Sequence, residues 1–163
     1  MVLDVLKLAV YTRLPRSWQV QAARLATPNF TVGTLGLITR DGSSVLLVRP
    51  SYREGWIPPG GFLGKGETPL EALGREIEEE LGVRMNFETA HRVAFDRARQ
   101  GITFVSVGLA PEGAEFAVRT RELLEIGWHS LDALPPLPHD FFEGMPEEDL
   151  SALRRVAQRR EGS

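Results

Sequence analysis

Apolar residues along this chain fall mostly into short alternating runs, with one stretch of strict helical spacing in the middle. In residues 1–27, Leu3, Leu6 and Val10 recur at helical intervals. Pro15 interrupts them and Trp18, Ala22 and Leu25 resume, so an interrupted helical extension is expected over residues 1–28. The run from Phe30 to Ile38 alternates as a strand does, Asp41-Gly42 has hairpin-turn chemistry, and Ser44 to Arg49 reads as the return strand. Residues 50–67 are crowded with Gly and Pro and predict a loop with brief extended pieces. A sharply bounded helix is expected over 68–81, strands at about 90–96, 102–110 and 122–129, and a last helix from about Pro146 to Arg160. Pro135-Pro136-Leu137-Pro138 marks an irregular connection. With neither an internal repeat nor a linker, residues 29–163 read as a single α/β domain of the α+β type, a mixed sheet covered by helices.

The helix at 68–81 is the best specified element. Thr68 is a natural N-cap, Pro69 suits the first helical position, Glu71 completes a capping box, and Gly82 suits a left-handed C-terminal stop. Advancing about 100° per residue lines Leu70, Leu73, Ile77 and Leu81 along one stripe for the core. The same geometry puts Glu76, Glu79 and Glu80 within an arc of about 100° on the other side, with the small Ala72 among them. Like charges at this spacing cost about 0.2–0.5 kcal/mol per pair, and the C-terminal end of the helix dipole disfavours them further. Arg75 can pair with one carboxylate; three call for more. Hard oxygen ligands on a rigid element suit Mg²⁺ or Mn²⁺, whereas the plain alternative is a solvated acidic face.

Composition narrows the chemistry. The chain has 163 residues with a formal net charge of -3, so it carries no basic field for duplex nucleic acid. It has no cysteine, which removes disulfides, thiolate zinc sites and a cysteine nucleophile. No apolar run approaches the roughly 20 residues of a membrane span, and no signal-like segment opens the chain. A cytoplasmic protein without a membrane partner is the expectation. All basic residues except Lys7 and Lys65 are arginine, so any phosphate clamp would be built from planar guanidinium groups.

The residues before the helix sharpen the reading. Trp56-Ile-Pro-Pro-Gly-Gly61 ends in glycines that bring bare backbone close to a ligand. From Gly61 onward, Gly61, Glu67, Arg75, Glu76, Ile77, Glu79, Glu80, Gly82 and Val83 fill, without a gap, the pattern GX5EX7REUXEEXGU, where U is a bulky aliphatic residue. This resembles the signature of the Nudix (MutT-like) hydrolases, and the resemblance extends over roughly residues 29–138. It implies an α/β/α sandwich with the motif helix packed on a mixed sheet. It also implies Mg²⁺-dependent hydrolysis of a pyrophosphate bond in a nucleoside diphosphate linked to another moiety. Glu76, Glu79, Glu80 and the Gly60 carbonyl would be the metal ligands, and Glu67 with Arg75 an orienting ion pair.

The general base varies within the family. Glu76 and Glu79 are options within the motif, and Glu122 is preferred outside it, as base or further ligand. Arg49 and Arg53 flank the loop entering the motif and are candidates to clamp phosphates, while Trp56 and Phe95 are candidates to stack on a base. His91, His129 and His139 share no spacing and read as structural or surface residues. Markers of the ADP-ribose, dinucleoside polyphosphate, coenzyme A and NADH subfamilies are missing, which favours a (d)NTP-type small-molecule substrate by elimination. A nucleotide- or sugar-nucleotide-binding module without catalysis is the competing reading, although every motif carboxylate is present. The apolar residues of the extension predict packing on the sheet or a homodimer contact.

Overall fold

The computed structural model describes residues 15–18, 28–87, 90–138 and 145–161. The chain divides into two units, Met1–Phe30 and Thr31–Ser163. In the first, residues 16–18 make one helical turn directly after Pro15. Leu3, Leu6, Val10, Ala22 and Leu25 of the expected helical extension lie outside the described residues, as does His139; of the residues on which packing on the sheet or a homodimer contact was expected, Trp18 alone is described, and it is exposed. Among the described residues, no helix is long and apolar enough to cross a membrane.

In the second unit the order is β1 (Thr31–Thr39), β2 (Ser44–Pro50), β3 (Gly60–Phe62), α1 (Pro69–Leu81), β4 (Ala90–Asp96), β5 (Gly101–Leu109), β6 (Leu123–Ser130) and α2 (Glu147–Glu161). Four strands form a mixed sheet in the order β3-β1-β5-β4, in which β1 and β5 run parallel and the other pairs antiparallel. β2 and β6 form a separate antiparallel pair.

This last point corrects the hairpin expected at Asp41-Gly42, because β1 and β2 belong to different sheets. The turn chemistry is present: Thr39 Oγ1 accepts from the Gly42 N–H at 2.9 Å, and Asp41 Oδ1 accepts from the Ser43 and Ser44 N–H groups. These bonds hold the Asp41 carboxyl below the usual carboxylate range, the Ser43 N–H contributing most. Beyond the turn, however, the Ser43 carbonyl accepts from Leu131 N–H, and β2 zips onto β6 from Ser44↔Ser130 onward. A turn fixes a change of direction; which strand receives the returning chain is decided by nonlocal burial.

Burial explains the split. β2 is apolar at nearly every position, as a strand covered on both faces must be. Its Val45 and Leu47 join Leu35, Leu37, Val105, Leu131 and Leu153 in one core. Its Leu46 and Val48 join Ile38, Leu73, Ile77, Leu81, Met85 and Phe87 in another. The period of two along β2 thus knits two cores together. The motif helix α1 covers the second core and α2 the first.

α2 is pinned by charge as well as by Leu153. Asp149, in its acidic first turn, is fully buried and receives a bidentate guanidinium from Arg92 of β4, with N···O distances of 2.9 and 2.8 Å. His91 Nε2 stands 3.3 Å from the same carboxylate. His91 is therefore structural, as expected, and so is His129, which packs on Trp56. Arg92 also stands 3.6 Å from the exposed Glu148, but truncating the buried, bidentate partner of such a pair costs about 3–5 kcal/mol. Asp149→Ala is accordingly expected to lower unfolding free energy by about that amount in urea titrations. A change within about 0.5 kcal/mol, the scale of neutral surface substitutions, would count against the pairing.

Candidate active site

The helix that carries the carboxylates is fixed at both ends by its own sequence. Thr68 Oγ1 accepts from Glu71 N–H while Glu71 Oε2 accepts from Thr68 N–H at 2.8 Å, and Pro69 follows the cap. Gly82 takes φ of 74°, a left-handed residue that donates to the Glu78 carbonyl and ends the helix. The apolar stripe lies where spacing put it, with Leu73, Ile77 and Leu81 buried and Leu70 partly so.

Two features differ from the periodicity argument. Ala72, expected beside open space, is fully buried, and Glu80, expected on the open arc, keeps only 9% of its surface. A nonlocal segment is bonded to the C-terminal end of this helix. Arg119 N–H donates to the Glu80 carbonyl at 2.8 Å and Ala117 N–H to that of Leu81 at 3.1 Å. The Arg119 guanidinium occupies the volume a side chain at Gly82 would need. A cation is thereby placed at the negative end of a helix whose last turn holds no basic residue. No motif in the sequence points to Arg119; only its sign in an otherwise irregular stretch offered a hint.

Arg75 does more than the single pairing expected of it. Its Nε and Nη2 bind both oxygens of Glu67 at 2.8 and 3.1 Å, and Nη2 also donates to the Phe62 carbonyl at 3.2 Å. Its Nη1 is shared between Glu76 at 2.9 Å and Glu79 at 3.3 Å. Glu67 accepts in addition from Gly64 N–H at 2.7 Å, so the Arg75 hydrogen bond and then this one hold its carboxyl below the usual range. One guanidinium therefore ties the loop after β3 to two motif carboxylates. Gly61 of β3 lies directly against the Glu76 carboxylate, and any side chain there would overlap it. Gly60 pairs with Leu35 across the sheet on the same short strand.

Glu80 stands outside this network. No ion pair among the described residues reaches it, and burial first, then the charges of Glu76, Glu122 and Glu79, pushes its carboxyl up to about 7. Glu122 thus belongs to the same negative cluster even though it comes from the exposed end of the segment before β6. As the side chains stand, with Arg75 holding Glu76 and Glu79, no three acidic or histidine groups among the described residues gather closely enough to enclose a metal ion.

The other expected contacts divide. Arg49 is exposed and paired with Glu125 at 2.8 Å, a pairing across β2 and β6 that occupies its guanidinium. Trp56 is half-buried, edge-on to His129 with ring centroids 4.5 Å apart and packed against the first core. Phe95 is exposed on β4, at the opposite edge of the sheet from β3. Arg53 is half-buried in the loop after β2. Its neighbour Tyr52 was missed: partial desolvation of its hydroxyl and the charges of Glu80 and Glu122 raise its pKa.

The proton on Glu80 makes stability depend on pH with a definite sign. Between its ordinary value of 4.5 and about 7 the folded protein keeps a proton that the unfolded chain has lost. That contribution is complete below about 4.5 and disappears as pH rises through about 7. Urea unfolding in chelator is expected to show a loss of up to about 3 kcal/mol over this window, and Glu80→Gln to flatten it. An identical slope in both proteins would sink the assignment.

Comparison with known proteins bears on the same residues. The NUDIX domain model matches residues 29–150. The chain is 40% identical over 83 residues to an 8-oxo-dGTP diphosphatase of Haemophilus influenzae, covering 48% of this chain and 60% of that protein. It is 29% identical over 86 residues to a MutT-like protein of Streptomyces ambofaciens, covering 53% and 55%. The chain thus spans little more than half the length of these curated relatives. Among solved structures it resembles the MutT NUDIX hydrolase of Burkholderia pseudomallei, with a TM-score of 0.62, 31% identity, and coverage of 77% of this chain and 98% of that one. With the capped acidic helix, the bare Gly61 against it and the Glu67–Arg75 tie in place, this chain belongs to the NUDIX domain family.

Proposed function

We propose that this chain hydrolyses a pyrophosphate bond in a nucleoside triphosphate-type substrate, deoxynucleotides included, in a reaction that depends on Mg²⁺ or Mn²⁺. The observation that carries this reading is the buried Glu80 carboxyl, surrounded by Glu76, Glu79 and Glu122 and driven to about 7 by burial and by their charge. Arg75 reaches Glu76 and Glu79 but not Glu80, and oxygen donors crowded beyond what one arginine offsets are what a hard divalent cation stabilises. Glu76, Glu79 and Glu80 are the assigned side-chain ligands, with the Gly60 carbonyl as a further one. When bound, the ion offsets charge on the phosphate oxygens and lowers the pKa of coordinated water.

The remaining work falls to the chain's own groups. Arg75 keeps the loop and helix in register through Glu67, so its role is one of orientation. Glu122, exposed and within the field of Glu80, is assigned to accept the proton of the attacking water. Arg53 is assigned to the distal phosphates. The triphosphate preference is supported by the absence of other subfamily markers in the sequence and by the name of the Haemophilus influenzae relative.

The test is a substrate panel with Mg²⁺: dNTPs, ADP-ribose, dinucleoside polyphosphates, nucleoside diphosphate sugars and capped RNA, with product analysis to show which bond breaks. Turnover of dNTPs is expected, and Glu79→Gln and Glu80→Gln should each lower kcat by roughly 10²–10³-fold, the scale seen when one charge-stabilising group is lost. Near-full turnover by both variants, or no turnover of any compound by the unaltered protein, overturns the proposal.

A further inference from the structure

We propose that Tyr52 is the aromatic platform on which this site holds the nucleobase of its substrate. The inference rests on the nucleotide-hydrolysing reading above and adds the residue that selects for a base.

The argument begins in the backbone. The β2–β6 ladder runs in register from Ser44↔Ser130 to Arg49↔Glu125 and then slips between Arg49 and Pro50. Such irregularities re-aim the chain beside functional sites. Just past it, Ser51 N–H donates to the Glu122 carbonyl at 2.7 Å, so Tyr52 follows immediately on a residue anchored to Glu122. The Arg49–Glu125 pair at 2.8 Å braces the same two strands. The residue before Tyr52 is therefore anchored to Glu122 by its backbone, although Tyr52 itself belongs to a loop.

The side chain itself is 72% exposed. It lines an open cleft of about 540 Å³ together with Arg49, Arg53, Glu54 and Leu124, the last of which is also exposed. This volume lies within the range of small-molecule sites. A ring left in solvent beside a charged site gains most from a flat aromatic partner, and every nucleobase presents one. The competing aromatics are placed otherwise: Trp56 is packed in the core, and Phe95 is on the far edge of the sheet. The link from this ring to the carboxylates is the backbone bond from Ser51 to Glu122, which sets a base stacked on Tyr52 one residue away from the anchored Glu122.

Calorimetric titration of the full chain with Mg²⁺ tests this without turnover. The ligands are the α,β-methylene analogues of ADP and GDP, whose bridging carbon resists cleavage, and methylenediphosphonate, which has the same two phosphorus groups and no nucleoside. The unaltered protein should bind a nucleotide analogue more tightly than methylenediphosphonate. Tyr52→Ala should weaken the nucleotide by about five- to a hundredfold and leave methylenediphosphonate unchanged, while Tyr52→Phe should stay within about twofold of the unaltered protein. An unchanged melting temperature in Tyr52→Ala is expected from its exposure. Equal losses for both ligand types, or no loss for either, overturn the role of Tyr52 alone. Failure of the unaltered protein to bind any of the three overturns the nucleotide reading and this inference together.

Discussion

Everything in this site depends on how four carboxylates are kept close together without tearing the helix apart. Like charges one turn apart on a helix repel, and at its C-terminal end the backbone dipole repels them as well. The structure answers with arginine at two places. Arg75 spreads one guanidinium over Glu67, Glu76 and Glu79, and Arg119 lays another across the glycine that ends the helix. Neither reaches the Glu80 carboxylate. What is left is a single buried acid that keeps its proton until near neutrality, because burial disfavours its charged form and three neighbouring carboxylates add to the cost.

The fold supplies this arrangement by pressing backbone against the helix where side chains would separate the charges. Gly61 gives β3 a bare edge against Glu76, and the segment 117–119 closes over the helix end with two hydrogen bonds. The double core makes such close approach sustainable. β2 contributes to both apolar clusters, so the helix on one side and α2 on the other are braced through the same strand. Position at the carboxylates is thus held by apolar packing around them, and the polar groups do not have to attract one another for the site to exist.

What could be read from the sequence follows the range of the interactions involved. The capped helix and its Gly82 stop were legible because each depends on residues at fixed short offsets, and the Glu67–Arg75 pair was implied by the resemblance to the Nudix motif. The strands were located to within a residue or two by alternation. Pairing was not legible: Asp41 and Gly42 make the turn that their chemistry requires, yet β2 leaves β1 for β6, since burial of both its faces outweighs the local hairpin. Burial of Glu80 and Ala72 escaped for a like reason, because helical periodicity knows nothing of what the fold packs against each face. Trp56 and Tyr52 show the limit most sharply. Four residues apart in one loop, both aromatic, they differ only in which one the core claims, and the exposed one follows the residue bonded to Glu122.

The contacts of Arg75 are unequal, and the inequality has a consequence for which parts of the site are fixed. Toward Glu67 it offers two nitrogens to two oxygens, a planar fork whose geometry resists rotation, and Gly64 holds the same carboxylate from behind. Toward Glu76 and Glu79 it offers one shared nitrogen, with the longer distance to Glu79, which is also the more exposed of the two. A shared donor holds each acceptor less tightly than a dedicated pair, and solvent screens the exposed partner further. The anchor between loop and helix is therefore the strong element, and the two motif carboxylates are the lightly held ones. The frame of the site is thus held by the Glu67–Arg75–Gly64 contacts, and its two motif carboxylates by weaker ones.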